Sequence, residues 1–200
     1  MTYETSPIFR RMTLAFLHIE QETSSADGKP GFPPAVGLAV SACESAWWAA
    51  QTGKNNYFGI TRPPAFAGDP ASAWCLTMEC VTPAQLAGFR SDERSTAVPI
   101  GINRYRMYRW FASYPTLEAA VHAYVHLLID ASRYNPAWTA FHEGGGALRG
   151  DADKFLAAVC AAGYATGPAF KVEVQIEHQQ NILRAVAAGR AELLANPLAA

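Results

Sequence analysis

Apolar side chains recur at helical spacing along both ends of this chain, and that spacing fails in the middle. From Lys54 to about Tyr108 turn residues are dense, and two runs of β-type composition, Trp74 to Thr82 and Tyr105 to Trp110, replace the helical period. The interruption excludes a plain helical bundle. It predicts an α+β fold, mostly α, with a helical body and a small β-lobe over about residues 54–110. There is room for one helical turn near Pro83 to Phe89.

The flanking helices announce their ends. Ser6-Pro7 reads as an N-cap followed by Pro at the first helical position, with Ile8, Met12, Ala15 and Ile19 as the stripe. Ser24 to Pro34 reads as a loop. A second helix starts at Pro33-Pro34, carries Val36, Val40, Cys43 and Trp47, and is expected to run to Gly53. Thr116 caps a helix with Leu117, Ala120, Val121, Tyr124 and Leu128 on one face. Asp151 caps another, with Phe155, Leu156 and Val159 inward and Gly163 at its end. Gly144-Gly145-Gly146 is a turn between helices. A last long helix begins at Pro168, with Val172, Ile176, Leu183 and Val186. Two hundred residues, half of them hydrophobic, suit a single domain over 1–200 with a sizeable core.

Charge and composition narrow the partners. A net charge of -1 points to neither nucleic acid nor an anionic membrane surface, so a neutral, extended polar substrate is the natural ligand. The N-terminal residues carry an acid before any apolar run, so no Sec signal peptide is expected, and no stretch is long and apolar enough to span a membrane. Cys43, Cys75, Cys80 and Cys160 include one close pair, Cys75 and Cys80, and reduced, mostly buried thiols are the favoured reading. His122 and His126 are four apart, but Ala123 stands where a metalloprotease helix needs Glu, so no metal is expected.

Glu44 is the first candidate for chemistry. It shares the face, or its edge, of Val36 and Val40, with Trp47 and Trp48 within helical reach. A carboxyl partly desolvated there has a raised pKa, which suits a general acid. Periodicity alone leaves a surface Glu beside two tryptophans equally open. Asn55-Asn56-Tyr57-Phe58-Gly59-Ile60 is a polar turn entering an apolar strand, and its amides and tyrosine also suit sugar hydroxyls and acetamides. Glu79 alternates with Thr77 and Val81 on a strand, a position for an exposed Glu or for a second carboxylate across a cleft. Tyr105, Tyr108, Trp110, Phe111 and Tyr114 are interleaved with Arg104, Arg106 and Arg109. They suit packing of the β-lobe, with some rings lining a sugar cleft, better than nucleic-acid stacking.

Taken in order, these blocks resemble the glucosaminidase domain of glycoside hydrolase family 73, a lysozyme-like group that includes flagellar peptidoglycan hydrolases and autolysins. Ala42 to Trp47 is similar to the family's acid-bearing helix end, Asn55 to Ile60 to its Asn-Asn-Leu-Phe-Gly-Ile block, and Thr77-Met78-Glu79 to its Thr-x-Glu. Tyr108 to Thr116 with Leu117 to Ala120 is similar to the block that precedes a helix, and Ala161 to Thr166 to its Ala-Gly-Tyr-Ala-Thr. The chain departs from the pattern at Trp48, at Gly167, and in the longer stretch from Thr82 to Asn103.

The resemblance implies a cleft between helical body and β-lobe, and an endo-β-N-acetylglucosaminidase that cleaves the β-1,4 bond after N-acetylglucosamine in peptidoglycan glycan strands, without a cofactor. Glu44 would be the acid. Glu79 would be the second carboxylate, activating water or steadying the substrate acetamide. Tyr164 would stand near the reacting sugar, with Trp47, Asn55, Asn56, Tyr57, Phe58 and Tyr108 binding substrate. A lytic transglycosylase or muramidase on the same fold is the alternative, and a non-catalytic glycan-binding or assembly module is the alternative of another class. Action in the periplasm or cell wall without a Sec signal would need phage lysis, contact-dependent secretion or a tail particle. A secreted effector would imply a cognate immunity protein.

Overall fold

A computed structural model describes residues 4–144, 149–164 and 179–196. Among the described residues the chain forms helices α1 (Pro7–Thr23) and α2 (Pro34–Glu44), strand β1 (Ser72–Cys80), helices α3 (Pro83–Ala87) and α4 (Ser91–Arg94), and strands β2 (Val98–Gly101) and β3 (Arg104–Ala112). Helices α5 (Leu117–Asp130), α6 (Asn135–His142), α7 (Ala152–Ala161) and α8 (Gln179–Ala195) follow. The helical body with a small antiparallel β-lobe is the architecture expected.

Side-chain caps fix most of the helix starts. Ser6, Thr116 and Asp151 each accept a hydrogen bond from the backbone N–H three residues on, at Phe9, Ala119 and Lys154. Thr82 and Gln85 form a reciprocal capping box at the start of α3, the helical turn expected there. Pro34 occupies the first turn of α2, where its missing N–H has no intrahelical role.

The core lies among α1, α2, α5, α6, α7 and α8. The buried face of α1 is Phe9, Met12, Thr13, Phe16, Leu17 and Ile19, displaced by one position from the expected stripe, so Ile8 and Ala15 sit at its edge. Leu117, Ala120, Val121, Tyr124 and Leu128 of α5 are buried together, as are Phe155, Leu156 and Val159 of α7. Helix α2 is buried nearly all round, which explains why a stripe poorly described it. A Cβ on its Gly37 would lie 2.1 Å from the Phe16 ring, so only glycine lets α1 approach this closely.

Three expectations need correction. Helix α2 stops at Glu44, nine residues short of Gly53 (53 − 44 = 9), because Ser45 and the residues after it turn the chain away. On α8 Ile182 and Ala185 are buried and the expected Val186 packs against the core, while Leu183 is exposed, and the expected start of that helix at Pro168, with Val172 and Ile176, lies outside the described residues. Helix α6, opened by Asn135-Pro136, and the short β2 were not foreseen. All four cysteines are free. Cys75 and Cys80 stand at positions of opposite parity on β1, so their side chains leave opposite faces, and Cys80 is exposed rather than buried.

The sheet has the order β1-β3-β2, with β1 antiparallel to β3 from Ser72↔Ala112 to Cys80↔Arg104. Its far side is fully employed. Beyond the short β2, the Tyr108 N–H donates to Thr96 and the Trp110 N–H to the Glu93 carboxylate. The Ala112 N–H donates to Ile60 and the Arg62 N–H to Trp110, so residues 60–62 run beside the end of β3. This splint ties the loop after α2 to the β-lobe.

Candidate active site

Glu44 ends α2, and a left-handed turn fixes its position. Ala46, Trp47 and Trp48 have φ of 49°, 59° and 61°, a run that costs non-glycine residues about 1–2 kcal/mol each. Local bonds hold it. The Ser45 hydroxyl donates to the Ser41 carbonyl and accepts from the Trp48 N–H at 2.8 Å, and the Trp48 indole N–H donates to the Ser41 hydroxyl at 3.1 Å. Trp48 stacks on Phe9 of α1 at 4.5 Å between centroids. Strain held this way is a feature of functional sites.

The loop that follows presents its backbone to the Glu44 carboxyl. The Asn56 amide donates to the Ile60 and Ala112 carbonyls at 2.9 and 3.0 Å, and its oxygen accepts from the N–H groups of Phe58 and Ile60 at 3.3 and 3.2 Å. Every bonding position of that buried side chain is used within the protein. Asn55, at φ 56°, donates to the Tyr114 carbonyl at 2.9 Å. The loop thereby delivers Gly59, at φ 63°, against Glu44: a Cβ there would lie 2.9 Å from the carboxylate oxygen Oε2.

The sheet forms the facing wall. Pairing places Thr77, Glu79, Met107 and Arg109 on one face. Arg109 lies 3.3 Å from Glu79 and 3.7 Å from the buried Glu93, with its guanidinium 4.3 Å above the Phe89 ring. One cation thus serves two carboxylates, which leaves net negative charge on this wall.

Between the two walls lies a cleft of about 620 Å³ that Glu44, Gly59, Glu79, Arg109, Tyr134 and Tyr164 line. Glu44 remains open to this cleft, yet protein surrounds it on most sides. Desolvation, and secondarily the negative charge of Glu79, push its pKa up to about 7. Its place at the negative end of α2 acts in the same direction. The Tyr164 hydroxyl donates to the Phe58 carbonyl at 2.8 Å, bracing the peptide before Gly59, and burial pushes its pKa well above the ordinary tyrosine value. Phe58 stacks on Tyr124 at 4.4 Å.

Glu44, Phe58, Glu79 and Tyr164 therefore meet in one cleft. Trp47, Asn55, Asn56, Tyr57 and Tyr108 are not among the residues that line it. Tyr57 is buried in the core, and Tyr108 stacks on Trp74 on the other face of the sheet. Arg109 and Gly59 were not singled out from the sequence. The alternation Met107, Arg109, Phe111 marks Arg109 as facing inward, but only the long-range register sets it beside Glu79. Among the described residues no group of three or more His, Cys, Asp or Glu side chains is placed to hold a metal.

Comparison with known proteins bears on the fold and the family. The catalytic domain of the autolysin Auto from Listeria monocytogenes has a similar fold, with TM-score 0.55 and 16% identity over 93% of this chain and 88% of that one. A glycoside hydrolase domain of FlgJ from Salmonella typhimurium gives TM-score 0.51 and 20% identity over 90% and 96%. At that identity these likenesses establish the lysozyme-like fold. The peptidoglycan hydrolase FlgJ of Vibrio parahaemolyticus is 28% identical over 149 residues, 72% of this chain but only 39% of that protein. The family profile described as Mannosyl-glycoprotein endo-beta-N-acetylglucosaminidase matches residues 21–182, most of the chain and all of the cleft residues named above. The chain belongs to this glucosaminidase family.

Proposed function

We propose that the chain is a peptidoglycan hydrolase, an endo-β-N-acetylglucosaminidase that cuts the β-1,4 bond after N-acetylglucosamine in bacterial cell-wall glycan. The observation that carries this reading is one cleft holding a carboxyl with a pKa near 7, Glu44, opposite a carboxylate paired with arginine, Glu79. At neutral pH a substantial fraction of Glu44 is protonated and can give its proton to the departing glycosidic oxygen. Water then bonds to the anomeric carbon. Glu79 accepts the proton this water loses and releases it to solvent while Glu44 is reprotonated; if the substrate acetamide assists instead, Glu79 steadies that group and Glu44 takes back the proton of the incoming water. Tyr164 acts through the Phe58 peptide by keeping Gly59 against the acid. Asn56 shapes this loop rather than binds sugar directly, because its amide is fully engaged, and Asn55 ties the loop to the Tyr114 carbonyl. Phe58 stands at the cleft wall beside the acid with its ring buried against Tyr124.

The substrate reading agrees with the name of the Vibrio relative, and action in the cell wall or periplasm follows from it. Among the described residues no helix is long and apolar enough to cross a membrane. Delivery by phage lysis, a contact-dependent secretion system or a tail particle remains part of the proposal, with an immunity protein expected for an effector. Turbidity loss of purified cell walls tests the function. Glu44→Gln should abolish lysis. Glu79→Gln should reduce turnover about 10²-fold or more if that group is the base, and unimpaired turnover would move the second role elsewhere.

A further inference from the structure

The outer edge of β1 is open among the described residues, and that edge forms the rim of the cleft. The Val81 N–H donates to the Asn103 carbonyl and the Ser113 N–H to the Ala71 carbonyl, each at 2.9 Å, bracketing the β1–β3 ladder at both ends. Both pairs continue the register of Ser72↔Ala112, so the odd-numbered residues of β1 bond to β3. The N–H and C=O groups of Trp74, Leu76, Met78 and Cys80 then point away from the sheet. Among the described residues nothing pairs with them. The opposite side of the sheet is treated differently: β2 carries Pro99, and Thr96, Glu93 and residues 60–62 cover the rest of β3.

Two further observations say what this edge takes. Thr77, Met78, Glu79 and Cys80 all line the cleft, and side chains of both parities can do so only where the strand edge itself borders it. Arg106 and Arg104 stand directly across from Met78 and Cys80, on the strand face away from Glu79. Both are exposed, and neither has a carboxylate partner among the described residues. The edge therefore offers alternating amide donors and acceptors, and Arg104 and Arg106 lie one strand further in, on the sheet face away from the cleft.

We propose that the open edge of β1 from Leu76 to Cys80 binds the carboxylate-bearing stem peptide of the glycan strand, which lies extended along that edge and takes main-chain hydrogen bonds from it. This rests on the reading of the cleft as a peptidoglycan site. The sugar chain lies against Glu44 and Glu79, and the peptide it carries leaves over the rim. Main-chain hydrogen bonds supply attachment, and Arg104 and Arg106 select for peptide carboxylates.

The test uses the full chain carrying Glu44→Gln, so that turnover does not consume the probes. Equilibrium binding is measured to soluble glycan chains that keep their stem peptides, and to the same chains stripped by an amidase. Peptide-bearing chains should bind about tenfold tighter, the gain expected from one or two net hydrogen bonds. Adding Met78→Pro removes an outward N–H at an edge position where proline is tolerated, and should bring the ratio of the two affinities towards one. The surface pair Arg104→Ala and Arg106→Ala, which leaves the backbone intact, should also lower the ratio and remove its salt dependence. Equal binding of the two chains, or a ratio unchanged in both variants, overturns the proposal. If neither chain binds, the peptidoglycan reading itself falls as well.

Discussion

Glu44 titrates in the range where it must work, and this has two measurable consequences. The acid is active when protonated, so kcat/KM for cell-wall glycan should fall as pH rises through about 7. Stability should follow the same group. Its pKa in the folded protein lies above the ordinary carboxyl value of 4.5, so the folded state binds the proton more tightly. The stability this contributes is complete below pH 4.5 and is lost as pH rises through about 7. The Tm of Glu44→Gln relative to the parent should therefore grow between those values and level off above them. A difference constant with pH would show that Glu44 is not perturbed. Gly59→Ala probes the partner of this carboxyl. The left-handed φ costs about 1 kcal/mol, and the new methyl displaces Oε2, so activity should drop at least tenfold while circular dichroism stays native. The block around Glu44 and the desolvation that raises its carboxyl are legible in the sequence, but the added push from Glu79 is not, since that charge comes from a distant strand. Asn56 was read as a sugar ligand from its type. Burial and four internal bonds, invisible in a linear motif, give it a structural place instead.

Local chemistry made some elements readable and hid others. The caps at Ser6, Thr116 and Asp151 lie next to the N–H groups they bond, so short-range sequence sufficed, whereas the Thr82–Gln85 capping box emerges only in the structure. The end of α2 did not yield to the same logic. Ala46-Trp47-Trp48 has no glycine or proline, yet it turns left-handed because Ser45, Ser41 and the Trp48–Phe9 stack hold it there. Ser45→Ala should expose that dependence: loss of the bond to the Trp48 N–H should cost about 1–2 kcal/mol in urea unfolding and lower activity beyond what the stability loss explains. An unchanged kcat would mean the turn does not set Glu44. Strand β2 is four residues long and exposed throughout, which leaves too little alternation to read. Reduced thiols are the favoured sequence reading and all four cysteines are free, with strand parity separating Cys75 from Cys80, but only Cys160 is fully buried.

The working unit is the cleft between the helical body and the β-lobe, and the loop after α2 joins its two walls. Residues 60–62 run beside β3, and Asn56 reaches both Ile60 and Ala112. Asn56→Ala should leave several buried groups unsatisfied, cost about 3 kcal/mol, and loosen the lobe against the body. Faster amide exchange at residues 56–62 and 110–112 than in α5 would report it. The order helix, lobe, helices was plain from the periodicity, whereas the pairing that brings Arg109 and Glu79 opposite Glu44 depends on register. Mass spectrometry of purified peptidoglycan digested by the parent chain and by Glu44→Gln tests the central claim most directly. Fragments ending in reducing N-acetylglucosamine, each heavier by one water per cut and absent with Glu44→Gln, are predicted. Reducing muramic ends, 1,6-anhydro-muramic ends, or the same fragments released at parental rate by Glu44→Gln would contradict it.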